Sequence, residues 1–319
     1  MIRTLLLPFR TARLDRTYGR TELIAARDAI RRGDTSSVVH SMADFSDHNV
    51  RADIAYVAAE ELVRLHGTEI PTSLQHSFEN LADDANSWTL RGAHEVLRAW
   101  QIRGYARASQ TDQAAFRGFR DTLHGAEQIC YTAAGYAPED PLPWVFLVHM
   151  ARGQQIGPRR TLERFAELDR RSPAHLHGNE QMVLSLSPKW GTPFPVLQNA
   201  IEEQRSTAPA GSPVHLNIVQ AYIELWFDSP ASERLGVTAK YSIRNTIEKA
   251  VDGWLEHGNT EGQHALHNYC AFWYSLTGQH DRAKPHFEAA AGYIKAFPWS
   301  YHLFPVRSFQ KSSRAARKA

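Results

Sequence analysis

Three histidine–asparagine pairs carry the hydrogen-bonding chemistry that stands out in this chain: His177-Gly-Asn179, His215-Leu-Asn217 and the adjacent His267-Asn268. Asn179 precedes Leu186 by seven residues, Asn217 precedes Leu225 by eight and Asn268 precedes Leu276 by eight. On parallel first helices of stacked hairpins these imidazoles and amides would align, and such a row can hold a peptide backbone or a carboxylate. The same residue types also satisfy free amides at helix starts. Trp100 and Trp190 are candidate apolar anchors. Trp190, in SPKWG, would either cap a groove or staple the turn it occupies.

Metal and acid–base chemistry have thinner support. Glu261, His264 and His267 recur every three residues, and on a helix Glu-x-x-His is the fragment used by carboxylate-bridged metal bundles. Those bundles need a second copy, which is missing, so these three are at most ligands of a mononuclear site. His175 and His177 would splay on a helix. His94 and Glu95, adjacent in RGAHEVLRAW, would point about 100° apart and read as a surface pair. No GxSxG elbow, phosphate loop, GxGxxG turn or HExxH pair occurs. No cofactor is expected.

Positioning these residues is the task of helices. In NYCAFWYSLTGQHDRAKPHFEAAAGYI, Tyr274, Gly278, Ala283, Phe287 and Ala290 fall at the offsets of a tetratricopeptide repeat, where glycine ends one helix and alanine lets its neighbour approach. Ile54, Val57, Ala58, Leu62 and Leu65 form one apolar stripe, and Ile243, Ile247, Ala250, Val251 and Trp254 a longer one. Nothing comparable alternates with period two. The expected fold is all-α, an irregular array of about seven helical hairpins over residues 20–43, 50–84, 85–135, 142–170, 174–205, 212–256 and 261–296. Gly33, Gly153, Gly191 and Gly278 are read as helix stops, and Pro193, Pro195 and Pro213 as helix starts. This array forms one domain over 20–306, between a basic N-terminal segment, 1–19, and a basic, disordered tail, 307–319.

The formal charge of +2 conceals an uneven distribution. Residues 1–20 carry a net +4 and residues 303–319 a net +5, so the body between them is −7. An acidic body argues against a broad nucleic-acid groove, while a basic tail could touch an anionic surface. Only seven of 36 basic residues are lysines, a bias typical of GC-rich genomes. Cys130 and Cys270 are isolated, as in a reducing cytoplasm. Leu5–Phe9 is too short for a signal-peptide core, and no apolar run reaches membrane-spanning length. The segment AFPWSYHLFPV, 296–306, would either cap the array or dimerise it through its terminal hairpin.

RGAHEVLRAWQIRGYARA (91–108), PWVFLVHMARGQQIG (143–157), AHLHGNEQMVLSLSPKWG (174–191) and GSPVHLNIVQAYIELW (211–226) together resemble a family of uncharacterised actinobacterial proteins with tetratricopeptide-like folds. Thr192 departs from the glycine usual after its Trp-Gly pair. The resemblance implies fold, compartment and source, and no activity. The expected function is a cytoplasmic scaffold holding a peptide or partner protein on its concave face through His177, Asn179, His215, Asn217, His267 and Asn268. The alternative is an enzyme that tailors a small molecule in a pocket of the curled array, using histidines as acid, base or metal ligand.

Overall fold

The computed structural model describes residues 12–104 and 112–319. The first eleven residues, with most of the expected basic N-terminal segment and Leu5–Phe9, lie outside the described residues, as does part of the 91–108 motif. Among the described residues the chain is all-helical apart from a two-residue parallel pair, β1 (Arg13–Leu14) on β2 (Tyr293–Ile294), with Arg13 opposite Tyr293. No described helix is long and apolar enough to cross a membrane. The helices form two compact units, residues 19–186 and residues 12–18 with 187–319.

The first unit holds α1 (Thr21–Arg31), α2 (Thr35–Ala43), α3 (His48–His66), α4 (Thr72–Glu79), α5 (Ala85–Arg103), α6 (Gln113–Tyr136), α7 (Leu142–Gln154), α8 (Gly157–Arg171) and α9 (Leu176–Ser185). Aspartates start four of them. Asp34, Asp47, Asp84 and Asp112 each accept a bond from a backbone amide in the first turn of α2, α3, α5 and α6, satisfying donors that a helix start leaves unpaired. Sequential helices pair as α5 with α6 and α7 with α8, and alternate helices stack: α1 on α3, α3 on α5, α5 on α7, α7 on α9. Gly153 is the last residue but one of α7, which ends at its cap Gln155 with φ +54°. It lies inside α7, where an added methyl would sit 2.6 Å from Leu123 Cδ1 and 2.7 Å from Phe119 Cζ, so it permits close approach of α6.

The second unit contains α10 (Phe194–Thr207), α11 (Asn217–Asp228), α12 (Arg234–Ala239), α13 (Tyr241–His257), α14 (His264–Leu276), α15 (His280–Ala289), α16 (Ala296–Trp299) and α17 (Pro305–Lys318), with 3-10 turns at Pro188–Trp190 and Pro213–Leu216. The expected hairpin 174–205 is therefore divided, α9 packing with α7 and α8 and α10 with α11. The repeat pattern that prompted the reading lies in α14 and α15. Gly278 takes φ +71° between them, Ala283 and Ala290 are fully buried, and Phe287 is 4% exposed.

At the terminal segments one expectation changes and the capping alternative is the one seen. Residues 307–319 are not a disordered tail, because α17 buries Phe309, Ser313 and Ala316, spaced i, i+4, i+7, against α15. The segment 296–306 folds back as a cap: Trp299, 1% exposed, meets Phe272, Phe287 and Phe309 with ring centroids 4.9, 5.9 and 5.1 Å away. Phe287→Ala is expected to destabilise this unit by about 3–5 kcal/mol, because it empties space shared by Trp299 and Phe309. Denaturant titration checks this; a neutral result would remove the repeat register.

Candidate functional site

The row of histidines and asparagines faces inward. Asn268 is fully buried, and every polar atom of its amide is used within the second unit. Its Nδ2 donates to the carbonyls of His264 (2.7 Å) and Tyr293 (3.0 Å). Its Oδ1 accepts from Lys295 N (3.2 Å) and Trp299 Nε1 (2.9 Å). Asn268 thus holds β2 and the Trp299 cap against α14. Asn179 is 1% exposed and Asn217 7%, and Asn179 Nδ2 donates to His175 O. His215, half-buried, bonds through Nε2 to Pro209 O and steadies the loop before the second 3-10 turn.

In the first unit the alternate helices fill the face expected to be a groove. Tyr56 of α3 bonds through its hydroxyl to His149 Nδ1 of α7 (3.0 Å), and its ring lies 5.1 Å from that of His177 on α9. Trp100 of α5 packs on Phe119 and His149, with the Arg152 guanidinium 5.1 Å above its ring. Trp100 is therefore a packed side chain between protein partners. Trp190, half-buried in its 3-10 turn, has the position of a staple. Beside it, the fully buried Glu224 carboxylate accepts from Lys189 Nζ (2.7 Å) and from the Tyr301 hydroxyl (3.0 and 3.1 Å).

His177 has a partner that the sequence did not suggest. Its Nε2 donates to Asp53 Oδ1 (2.8 Å), while Arg20 donates to Asp53 Oδ2. Burial alone would raise the Asp53 carboxyl, but His177 and Arg20 overcome that and hold it at about 2. Asn49 Oδ1 accepts Leu176 N (2.8 Å) one turn away, so the starts of α3 and α9 are joined twice. His175 caps α9 by accepting Gly178 N at Nδ1 (3.2 Å), and burial, then His177, push it down to about 3. His94 and Glu95 are buried, 0% and 7% exposed, and not a surface pair.

The candidate metal fragment Glu261, His264 and His267 does not converge. Glu261 is exposed in the turn before α14, separated from it by Gly262 at φ +70°. His264 Nδ1 bonds to Ala289 O and His267 turns towards α15. Among the described residues no group of three or more His, Cys, Asp or Glu could hold a metal ion.

What these residues do frame is a pocket of about 410 Å³, lined by Leu255, Thr260, Glu261, His267, Pro285 and His286 among others. His267 Nδ1 meets His286 Nδ1 at 2.8 Å. A bond between two like nitrogens needs one protonated and one bare. One of the two imidazoles therefore carries a proton on Nδ1 and the other accepts there. His267 also bonds to the Thr260 carbonyl, which requires a donor from its ring. Burial pushes His267 down to about 4, against the pull of the Thr260 carbonyl. Burial, then His267 and Arg282, push His286 to about 3. His286 escaped the sequence reading because it stands between Pro285 and the core Phe287, outside any histidine spacing. No family model, curated protein or solved structure matches this chain.

Two predictions follow from the buried polar groups. Asn268→Ala is expected to cost about 3 kcal/mol, because it strands several buried partners at once; retention of full stability would show that β2 and Trp299 do not depend on the amide. The second is a pH dependence. The unfolded imidazoles of His175, His267 and His286 bind protons near 6.5 and the folded ones near 3 to 4. The folded chain then holds fewer protons in between, and stability falls as pH drops through that window. Asp53 adds a further loss between 3.8 and about 2. His175→Asn keeps an acceptor at the cap and removes one titrating group. Its stability-versus-pH slope between 6.5 and 4 should be shallower than that of the unaltered chain.

Proposed function

We propose that this chain is a binding scaffold of tetratricopeptide-like helical hairpins that captures a peptide or partner protein. The contact is the pocket at His267 and His286, and the asparagine row serves the fold. The alternate stacking of α1, α3, α5, α7 and α9 supports the repeat arrangement. The buried thiols of Cys130 and Cys270 agree with a reducing compartment.

The observation that carries the reading is the formed pocket of about 410 Å³ with the bonded His267–His286 pair in its wall. A general base works best with a pKa near the operating pH, and imidazoles at about 3 and 4 are weak bases there. They are neutral hydrogen-bonding groups at the bottom of an opening whose rim holds the exposed Leu255 and Glu261. Such a site accommodates one side chain of a partner. An enzyme acting on a small molecule is the second reading, because 410 Å³ is also within the range of small-molecule sites.

Native mass spectrometry of the chain purified from its own host, with elemental analysis, separates the two. Binding predicts a co-purifying peptide or protein without stoichiometric metal, and Glu261→Lys, exposed and outside the core, should lose it at least about tenfold without a lower melting temperature. A bound small molecule or metal, or capture unaffected by Glu261→Lys, would overturn the proposal.

A further inference from the structure

We infer that the outer face of α17, with the two residues before it, is a docking surface for an anionic lipid bilayer. Arg307, Lys311, Arg314 and Lys318 are all exposed, at spacings of four, three and four that place them on one face of the helix. Over eleven residues the stripe is roughly 16 Å long. The opposite face, Phe309, Ser313 and Ala316, is buried against the unit, so the orientation of the cations is set by packing. No Asp or Glu occurs between residues 289 and 319.

The apolar neighbours choose the partner. Leu303 is 86% exposed and Phe304 59%, and the Arg307 guanidinium lies 5.8 Å from the Phe304 ring centroid. Cations beside a projecting apolar pair match the layering of a bilayer, in which anionic headgroups lie above hydrocarbon. Phosphates of a nucleic-acid duplex would attract the stripe but leave Leu303 in water. The helix lies flat with its apolar side already covered, so binding is peripheral and reversible. Juxtaposed cations contribute additively near such a surface, and the contact weakens as salt screens them.

Co-sedimentation of the full chain with vesicles tests this. With phosphatidylcholine vesicles containing roughly 30 mol % phosphatidylserine the protein should pellet, and with phosphatidylcholine alone it should stay in solution. The combined Arg307→Gln, Lys311→Gln and Lys318→Gln variant should partition roughly a hundredfold more weakly. Leu303→Ser with Phe304→Ser should also bind less while keeping the same salt dependence. All five side chains are outside the core, so unchanged melting curves will confirm folding. Absence of pelleting with the anionic vesicles, equal pelleting of the glutamine variant, binding insensitive to salt, or displacement from the vesicles by duplex DNA of equal phosphate concentration would each overturn the inference.

Discussion

A polar side chain removed from water must find its partner inside the protein or cost about 1–3 kcal/mol, and both units are organised around that requirement. In the second unit the Asn268 amide gathers α14, the residue before α16 and the Trp299 indole around one buried point. Apolar burial alone would press Trp299 against Phe272 and Phe287 without fixing its orientation. The bond to the indole nitrogen does fix it, and α17 then packs Phe309 on a defined surface. In the first unit Asp53 takes the equivalent place. Two partners, Arg20 at the start of α1 and His177 on α9, hold its carboxylate ionised. Removing Arg20 would strip the buried carboxylate of its permanent counter-charge, which is more damaging than losing the whole group.

The sequence made the helices legible and the directions of their polar faces illegible. The stripe Ile243, Ile247, Ala250, Val251 and Trp254 is buried as its spacing implies, because a 3.6-residue period depends only on which face is apolar. The histidine–asparagine pairs also fall on helix starts as read. Whether such a row faces solvent or a neighbour depends on which helices return to it, and nothing in His177-Gly-Asn179 reports that Asp53, 124 residues away, will be its partner. The last helix was missed for a different reason. The composition of 307–319 is that of a disordered segment, and the three small or apolar residues that bury it are too few to dominate a window average.

Gly153 and His286 show how one residue type serves two demands. A glycine after a run of helix formers reads as a stop, and α7 does end two residues on at Gln155, while the missing methyl also makes room for Leu123 and Phe119. A histidine beside a proline in a helix has no signature at all. His286 acquires its character from burial and from the ring facing it, and both belong to tertiary packing. The neutral state of the pair follows from the same packing, since a second positive charge at 2.8 Å in a site of low dielectric would be strongly repelled.

The inward turn of the polar rows also limits where a partner can attach. A repeat scaffold that leaves its first-helix face open can read a peptide along its length. Tyr56, Trp100, His149 and His177 already occupy that face in the first unit, so a ligand there would have to displace bonded aromatic rings and break the Asp53 pair. The second unit offers surface that needs no such opening. Its histidine pocket is already formed, and the residues that build the cap leave Leu303 and Phe304 in water. On the proposed binding reading, recognition is cheapest at the ends of helices in the second unit, where the core is complete and the remaining exposed groups are not required to hold it.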